Sequence, residues 1–258
     1  MPIKSSNKSK SDIVELEEGN YDARVVGLVL TGEEQKYGEE DKTIHKMIVT
    51  FEIPSETVEL DGEERPRHIS AFLTASCHEK SVFTKIIKAC GSQLGDDFVV
   101  EVDGDLQIED LSPLAGAGLS ISIEHNKNGR ANVKGYAKLR SKALASLEEL
   151  ANNAYIMDPY LEEPMVVGDI DDVPAWILKR MPDALDVEDF TDSALDAIEA
   201  RLEDIDNGDE EEEEKPAPKK KAAAKSKSKA KPKAKAKRKP EPEEEDEDDD
   251  DWDDDDED

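Results

Sequence analysis

The order of its hydrophobic periodicities predicts a mainly β protein: a five-stranded barrel with one helix between strands three and four, followed by short helices and a disordered, charged tail. Three observations carry this expectation. Short segments in which apolar and polar residues alternate fill much of the first 140 residues, the pattern of half-buried strands. One amphipathic helical stripe interrupts them before the last pair. From about Asp206 to Asp258 almost nothing is apolar, so that segment cannot bury enough surface to offset its ordering entropy.

Residues 1–12 read as a flexible, weakly basic arm. Tyr21, Ala23, Val25, Gly27 and Val29 then alternate with Asp22, Arg24 and Val26, a first strand bounded by Thr31-Gly32. A polar loop, Glu33 to Lys42, precedes a second strand, His45 to Ile53, with Met47, Val49, Phe51 and Ile53 on one face and Pro54 as its stop. Asp61-Gly62 marks a turn, and Arg67 to Ser76 reads as a third strand with His68, Ser70, Phe72 and Thr74 on one face. The period then switches. Ser76 followed by Glu79 is a capping-box pattern, Val82, Phe83, Ile86, Ile87 and Cys90 form a helical stripe, and Gly91 supplies the stop. Phe98 to Val102 fits either a short strand or an extended connection. Gly118 to His125, with Leu119, Ile121 and Ile123 on one face, leads through the turn signal Asn126 to Gly129 into a returning strand, Ala131 to Leu139.

Three strands, a helix and a hairpin is the order of the five-stranded OB-fold, whose helix sits between strands three and four. A β-sandwich with a helical cap and an open α+β sheet share the strand count. Beyond Leu139 the pattern is helical, with Ser141 as cap of a stripe of Ala143, Leu144, Leu147, Leu150 and Ala151. Residues 155–172 are extended and acidic, and Val173 to Leu178 is a short apolar anchor whose Pro174 suits an early helix position. Asp192 or Ser193 caps a last helix carrying Leu195, Ile198, Leu202 and Ile205. The expected divisions are an arm (1–12), a barrel (13–140), an acidic helical and extended appendage (141–205) and a tail (206–258).

Charge is segregated along the 258 residues. Residues 1–140 carry 17 Lys/Arg against 25 Asp/Glu, a net of −8, and residues 141–208 carry 4 against 18, a net of −14. The tail then holds 13 Lys/Arg and no acid in 215–240, and 16 acids and no base in 241–258. Adjacent blocks of opposite sign are interaction tails rather than fold. The two cysteines, Cys77 and Cys90, do not make a disulfide framework and point to a reducing compartment. Met1 to Ser11 is polar, with no apolar signal-peptide core behind it, and no stretch has the length of apolar residues that a membrane span needs.

Several spaced runs resemble a family of tailed-phage single-stranded DNA-binding proteins. They are Gly19-Asn-Tyr-Asp-Ala-Arg-Val25, His45 to Pro54, Arg67-His-Ile-Ser70, Ser76 to Ser81, and the hairpin His125 to Val133. Val173-Pro-Ala-Trp-Ile177 resembles a short tail element in the same group. The resemblance spans roughly residues 13–182. It implies an OB-fold that coats single strands during replication or recombination in the cytoplasm of a phage host, and the lysine tract 215–240 departs from the family's pattern.

Binding an unpaired strand needs a cationic groove for the phosphates and aromatic faces for the bases. The residues of these types are Lys36, Tyr37 and Lys42 in the first loop, Lys46 on the second strand, Arg65 and Arg67 entering the third, and Phe72 on it. The final hairpin adds Lys127, Arg130, Lys134 and Tyr136. In an OB-fold they fall on the face of strands two and three and on the loops joining strands 1–2 and 4–5. Phe72 alternates with Leu73, so one of the two faces the core. Tyr136 shares a face with Lys134 and Lys138, which predicts exposure. The acidic terminus, with Trp252, Asp253 and Asp254 near its end, resembles the tails by which single-strand binders recruit a polymerase or a helicase/primase, and such a tail also competes with DNA for a basic groove. The lysine tract either contacts phosphates or neutralises the adjacent acids.

Chemistry for catalysis is not seen in the sequence. There is no Gly-x-x-x-x-Gly-Lys-Ser/Thr loop, no Gly-x-Gly-x-x-Gly after a strand and no nucleophile elbow. Cys77, His78 and Cys90 lack the Cys-x-x-Cys pairing of a metal site, and His45, His68, His78 and His125 are dispersed. The expectation is a non-enzymatic single-stranded DNA-binding protein without cofactor. The alternative, favoured by the net charge of −31, is an acidic interaction protein, a chaperone or DNA mimic, that binds no single strand.

Overall fold

A computed structural model describes residues 16–35, 42–60, 63–95, 98–102, 105–108 and 110–211. Within them the protein is mainly β. Three long strands, β1 (Gly19–Gln35), β2 (Thr43–Leu60) and β3 (Glu63–Thr74), form an antiparallel meander. Helix α1 (Val82–Cys90) follows, then a small hairpin of β4 (Val100–Val102) and β5 (Asp105–Gln107), so of the ambiguous Phe98 to Val102 the last three residues are strand and the first two a bent connection. The hairpin β6 (Gly118–His125) and β7 (Ala131–Ala137) returns to β1, so the sheet runs β3-β2-β1-β6-β7. Among the described residues no ladder joins β3 to β7. The expected closed barrel is therefore an open antiparallel sheet, although β3 and β7 approach within 8 Å at their Cα atoms.

The inner face of the sheet holds the main core. Met47, Val49, Phe51 and Ile53 of β2 and Leu119, Ile121 and Ile123 of β6 are buried there, as their alternation predicts. On β3 the inward set is Ile69, Ala71 and Leu73, which leaves Phe72 outside. Helix α1 adds Phe83, Ile86, Ala89 and Cys90, while Val82, expected in its stripe, is exposed. Burial pushes the Cys90 thiol up to about 12, so it packs as an apolar group. The cap of α1 is Ser81 rather than Ser76: the Ser81 Oγ accepts the Thr84 N–H at 3.0 Å and donates to the Ser76 carbonyl. Gly91 ends the helix at a positive φ, as read from the sequence.

Strand β1 departs from simple alternation. Val25 pairs with Phe51 and Gly27 with Thr50, so Val26 is an extra residue in a bulge. The bulge flips the parity. Ala23 and Val25 face the main core, Leu28 faces it again, and Val29 turns to the opposite side beside Ile48 of β2. Both faces of the sheet are therefore apolar here, and the outer one must be covered.

The cover comes from the segment after α2 (Ser141–Ser146). That helix is shorter than its apolar stripe suggests. Leu147 is extended, and the carbonyls of Leu147 and Glu148 accept from the Arg24 guanidinium at 3.0 and 2.6 Å. The chain then forms β8 (Tyr155–Met157), parallel to β1, and β9 (Met165–Val167), where the sequence showed only an extended acidic stretch. Helix α3 (Ala175–Leu178) and the first half of α4 (Asp192–Glu211) complete the layer. Tyr155, Met157, Val173, Ile177, Leu178, Met181, Phe190 and Ile198 close over Val29 and Ile48 as a second core. Each large apolar side chain buried this way stabilises by about 1.5–3 kcal/mol. The hydroxyl of Thr191, one residue before the expected caps, accepts the Ala194 N–H, and α4 continues past residue 206 to Glu211. Among the described residues no helix is long and apolar enough to cross a membrane.

One polar clamp lies in this layer. Glu52 of β2 is fully buried. Its carboxylate accepts from the Ala151 and Asn152 amides and the Asn152 side chain, and lies 3.3 Å from His68 Nε2. Gly27, paired with Tyr155, marks the closest approach: a Cβ there would lie 2.1 Å from a Tyr155 ring carbon. Gly27→Ala should therefore lower stability by about 1–3 kcal/mol through overpacking, read as a lower urea midpoint with an unchanged m-value.

Candidate nucleic-acid interface

Two surfaces gather residues of the types that an unpaired strand requires, and β3 contributes to both. The first is a cleft of about 580 Å³ at the free edge of β3. Arg65, Pro66 and Arg67 line it from β3, an edge strand where a proline is tolerated. Arg130 and Ala131 line it from the β6–β7 hairpin, and Leu16 and Val58 add apolar floor. The turn delivers Arg130 to this place. The Asn126 side-chain oxygen accepts the amides of Asn128 and Arg130 at 2.9 and 3.1 Å, and Gly129 adopts φ +75°, which a side chain resists. Acids are close by. The Tyr21 phenol is raised by burial and by Glu56 and Glu17, with Arg67 pulling the other way.

The second surface lies on the outer face, at the rim of the second core. Phe72 pairs with Ile48 in the β2–β3 ladder and so shares its side, yet is 56% exposed. Trp176, 44% exposed, has its ring centroid 5.9 Å away. Its neighbours Ile177 and Leu178 are buried, so the short α3 turns Trp176 outward. The Arg180 guanidinium sits 5.1 Å from the Phe72 centroid and also pairs with Glu34 at 3.0 Å. Lys46, two residues before Ile48 on β2, lies on the same side. Arg67 and Phe72 are five positions apart on β3, about 16 Å at the ordinary strand rise.

The residues singled out in the sequence are thus divided. Arg65, Arg67 and Arg130 come together in the cleft, and Lys46 and Phe72 share the outer face. Lys127 and Lys134 are exposed on the β6–β7 hairpin, and Lys42 is exposed just before β2. Tyr136 is half-buried against the main core rather than exposed as its sequence neighbours predict. A bulge at Lys134 puts Val133 opposite Ile123 and Tyr136 opposite Ile121, so both turn to the core. The Tyr136 ring packs 5.9 Å from Phe51, and burial pushes its phenol up to about 12. Lys36, Tyr37, Trp252, Asp253 and Asp254 lie outside the described residues. Trp176 and Arg180 were not among the sequence candidates. Trp176 reads as part of an apolar anchor, and only the burial of its neighbours frees it.

No known protein-family model and no curated protein sequence matches the chain.

Proposed function

We propose that the chain is a sequence-nonspecific single-stranded DNA-binding protein, and that its sheet is an OB-fold barrel whose closing strand pair is parted by the arginine cleft. The observation that carries this reading is the convergence of Arg65 and Arg67 with Arg130, from elements far apart in sequence, over an apolar floor. Guanidinium groups suit phosphate oxygens, and their planar faces also stack on bases. The strand order β3-β2-β1-β6-β7 and the helix before the last hairpin support the OB reading. In this reading an unpaired strand crosses the β3 edge, its phosphates held in the cleft by Arg65 and Arg67, whose parity on β3 is that of Ile69, and a base stacked on the Phe72–Trp176 pair of the outer face.

Local placement matters more than total charge here. The residues through 140 carry a net of −8, so affinity has to come from a few concentrated cations rather than from a general field. A place in phage replication or recombination rests on the sequence runs that resemble that family. Recruitment of a polymerase or helicase/primase through residues 241–258 and Trp252 rests on the tail's composition. The competing reading, an acidic interaction protein, is favoured by the net charge of −31.

Titration of fluorescent oligo(dT) with the full chain separates the two, since an acidic chaperone or DNA mimic leaves its anisotropy unchanged. Arg67→Gln and Arg130→Gln should each weaken binding and reduce the log–log salt slope by about 0.7, the value for one phosphate contact on a single strand. An unaltered slope in a folded variant removes that residue from the path. Phe72→Ala and Trp176→Ala should each lower oligo(dT) affinity by about 1–3 kcal/mol. Deleting residues 241–258 should leave or tighten DNA affinity while abolishing capture of the replicative polymerase or helicase. Weaker DNA binding after that deletion contradicts competition between tail and strand.

A further inference from the structure

We propose that Glu33, His45 and Asp186 form a binding site for a divalent transition-metal cation, which ties the β1–β2 end of the sheet to the segment covering its outer face. The site stands apart from the arginine cleft and does not depend on the nucleic-acid reading.

Glu33 and His45 are directly opposite in the β1–β2 ladder, where side chains on one face are near neighbours. His45 Nε2 lies 3.1 Å from Glu33 Oε1. Asp186 comes from 153 positions away and is fixed by main-chain bonds. The Glu33 N–H donates to Asp186 Oδ1 at 2.6 Å, and the Leu185 N–H donates to the Glu33 carbonyl at 2.9 Å. The backbone of Glu33 is therefore held on both its polar groups by residues 185 and 186, and the third donor cannot drift from the first two. Gly32 makes room for this approach, since a Cβ there would lie 2.7 Å from Asp186 Oδ1.

One ligand atom from each of the three residues lies within 4.8 Å of the others. A cation about 2.0–2.2 Å from each nitrogen or oxygen would bring them to within about 3.0–3.5 Å of one another. His45 faces Glu33 through Nε2 and Asp186 through Nδ1, 3.8 Å from Oδ2, so its ring, 55% exposed, turns on binding to bring one nitrogen toward both carboxylates. Two carboxylates and one imidazole suit Zn²⁺, Mn²⁺ or Fe²⁺ better than an all-oxygen cation such as Mg²⁺. Three protein donors leave a coordination position for water. An outer support is already in place: the Tyr160 hydroxyl donates to Asp186 Oδ2, lies 3.4 Å from His45 Nδ1, and its ring packs edge-on against Phe190 of the second core. Such partners orient ligands and raise metal affinity.

Zn²⁺ is the probe, added to the full chain in excess Mg²⁺ so that the acidic tail is occupied by the commoner ion. The chain has four histidines, so an imaging of imidazole nitrogens by ¹H–¹⁵N NMR separates His45 from His68, His78 and His125. At one equivalent Zn²⁺ should shift His45 alone, and calorimetry should give a saturable one-to-one isotherm. His45→Gln should abolish that isotherm, Glu33→Gln should weaken it, and Tyr160→Phe should weaken it by about 10–100-fold. The thermal midpoint should rise with Zn²⁺ in the parent chain and not in His45→Gln. The proposal is overturned if the parent chain gives no one-to-one isotherm in Mg²⁺. It is equally overturned if folded His45→Gln and Glu33→Gln both bind Zn²⁺ as the parent does, which assigns the ion to other donors such as the acidic tail or Cys77 and His78.

Discussion

Strand β1 is buried on both of its faces between Val25 and Val29, and this constraint organises the remainder of the molecule. A strand of an antiparallel sheet ordinarily leaves one face to water. Here the bulge at Val26 sends Leu28 to the main core and Val29 to the other side, where Ile48 is also apolar. Leaving those groups wet would forfeit their burial energy, so residues 155–198 wrap back and cover them. The covering chain is anchored at each end of its path. Arg24 and Glu52 hold the turn after α2 through backbone groups, and Asp186 holds the far side through the Glu33 amide.

The cover also decides which surfaces remain available. The outer face of β1 and β2 around Val29 and Ile48 is largely occupied by Tyr155 and Met157 of β8 and by α3 and α4. Beside that cover, the β3 edge carries the arginine cleft at residues 65–67, and the rim of the outer face carries the Phe72–Trp176 pair. Among the described residues no ladder joins β3 to β7, and the arginine cleft opens at that edge. An unpaired edge offers space, and the arginines that line it replace strand pairing with charge, one of the ways edges are kept from sticking to other chains.

Much of the sheet was legible from alternation alone. Met47 to Ile53, Leu119 to Ile123 and the Asn126–Gly129 turn are local patterns, and each took its expected form. Alternation failed where a bulge intervened. Val26 on β1 and Lys134 on β7 are ordinary strand residues by composition, so nothing in their neighbourhood announces a change of parity. Tyr136 was consequently assigned to the wrong side. The predicted helix caps missed by five residues at α1 and by one at α4, because nearby serine, threonine and aspartate side chains compete for the same amides. Arg65, Arg67 and Arg130 were readable as residue types, whereas their meeting in one cleft was not.

By itself the sequence determined what depends on near neighbours: strand and helix periodicity, the hairpin turn, the helix stop at Gly91 and the segregation of charge into blocks. Only the tertiary structure decided what depends on distant segments meeting. The parallel docking of Tyr155–Met157 on β1, the outward turn of Trp176 and the juxtaposition of Glu33 and His45 with Asp186 join residues more than a hundred positions apart or depend on segments that are. Periodicity records which face of an element is apolar. It carries no record of the partner that will cover that face, because the partner is selected by shape and by the free energy of burial over the whole chain.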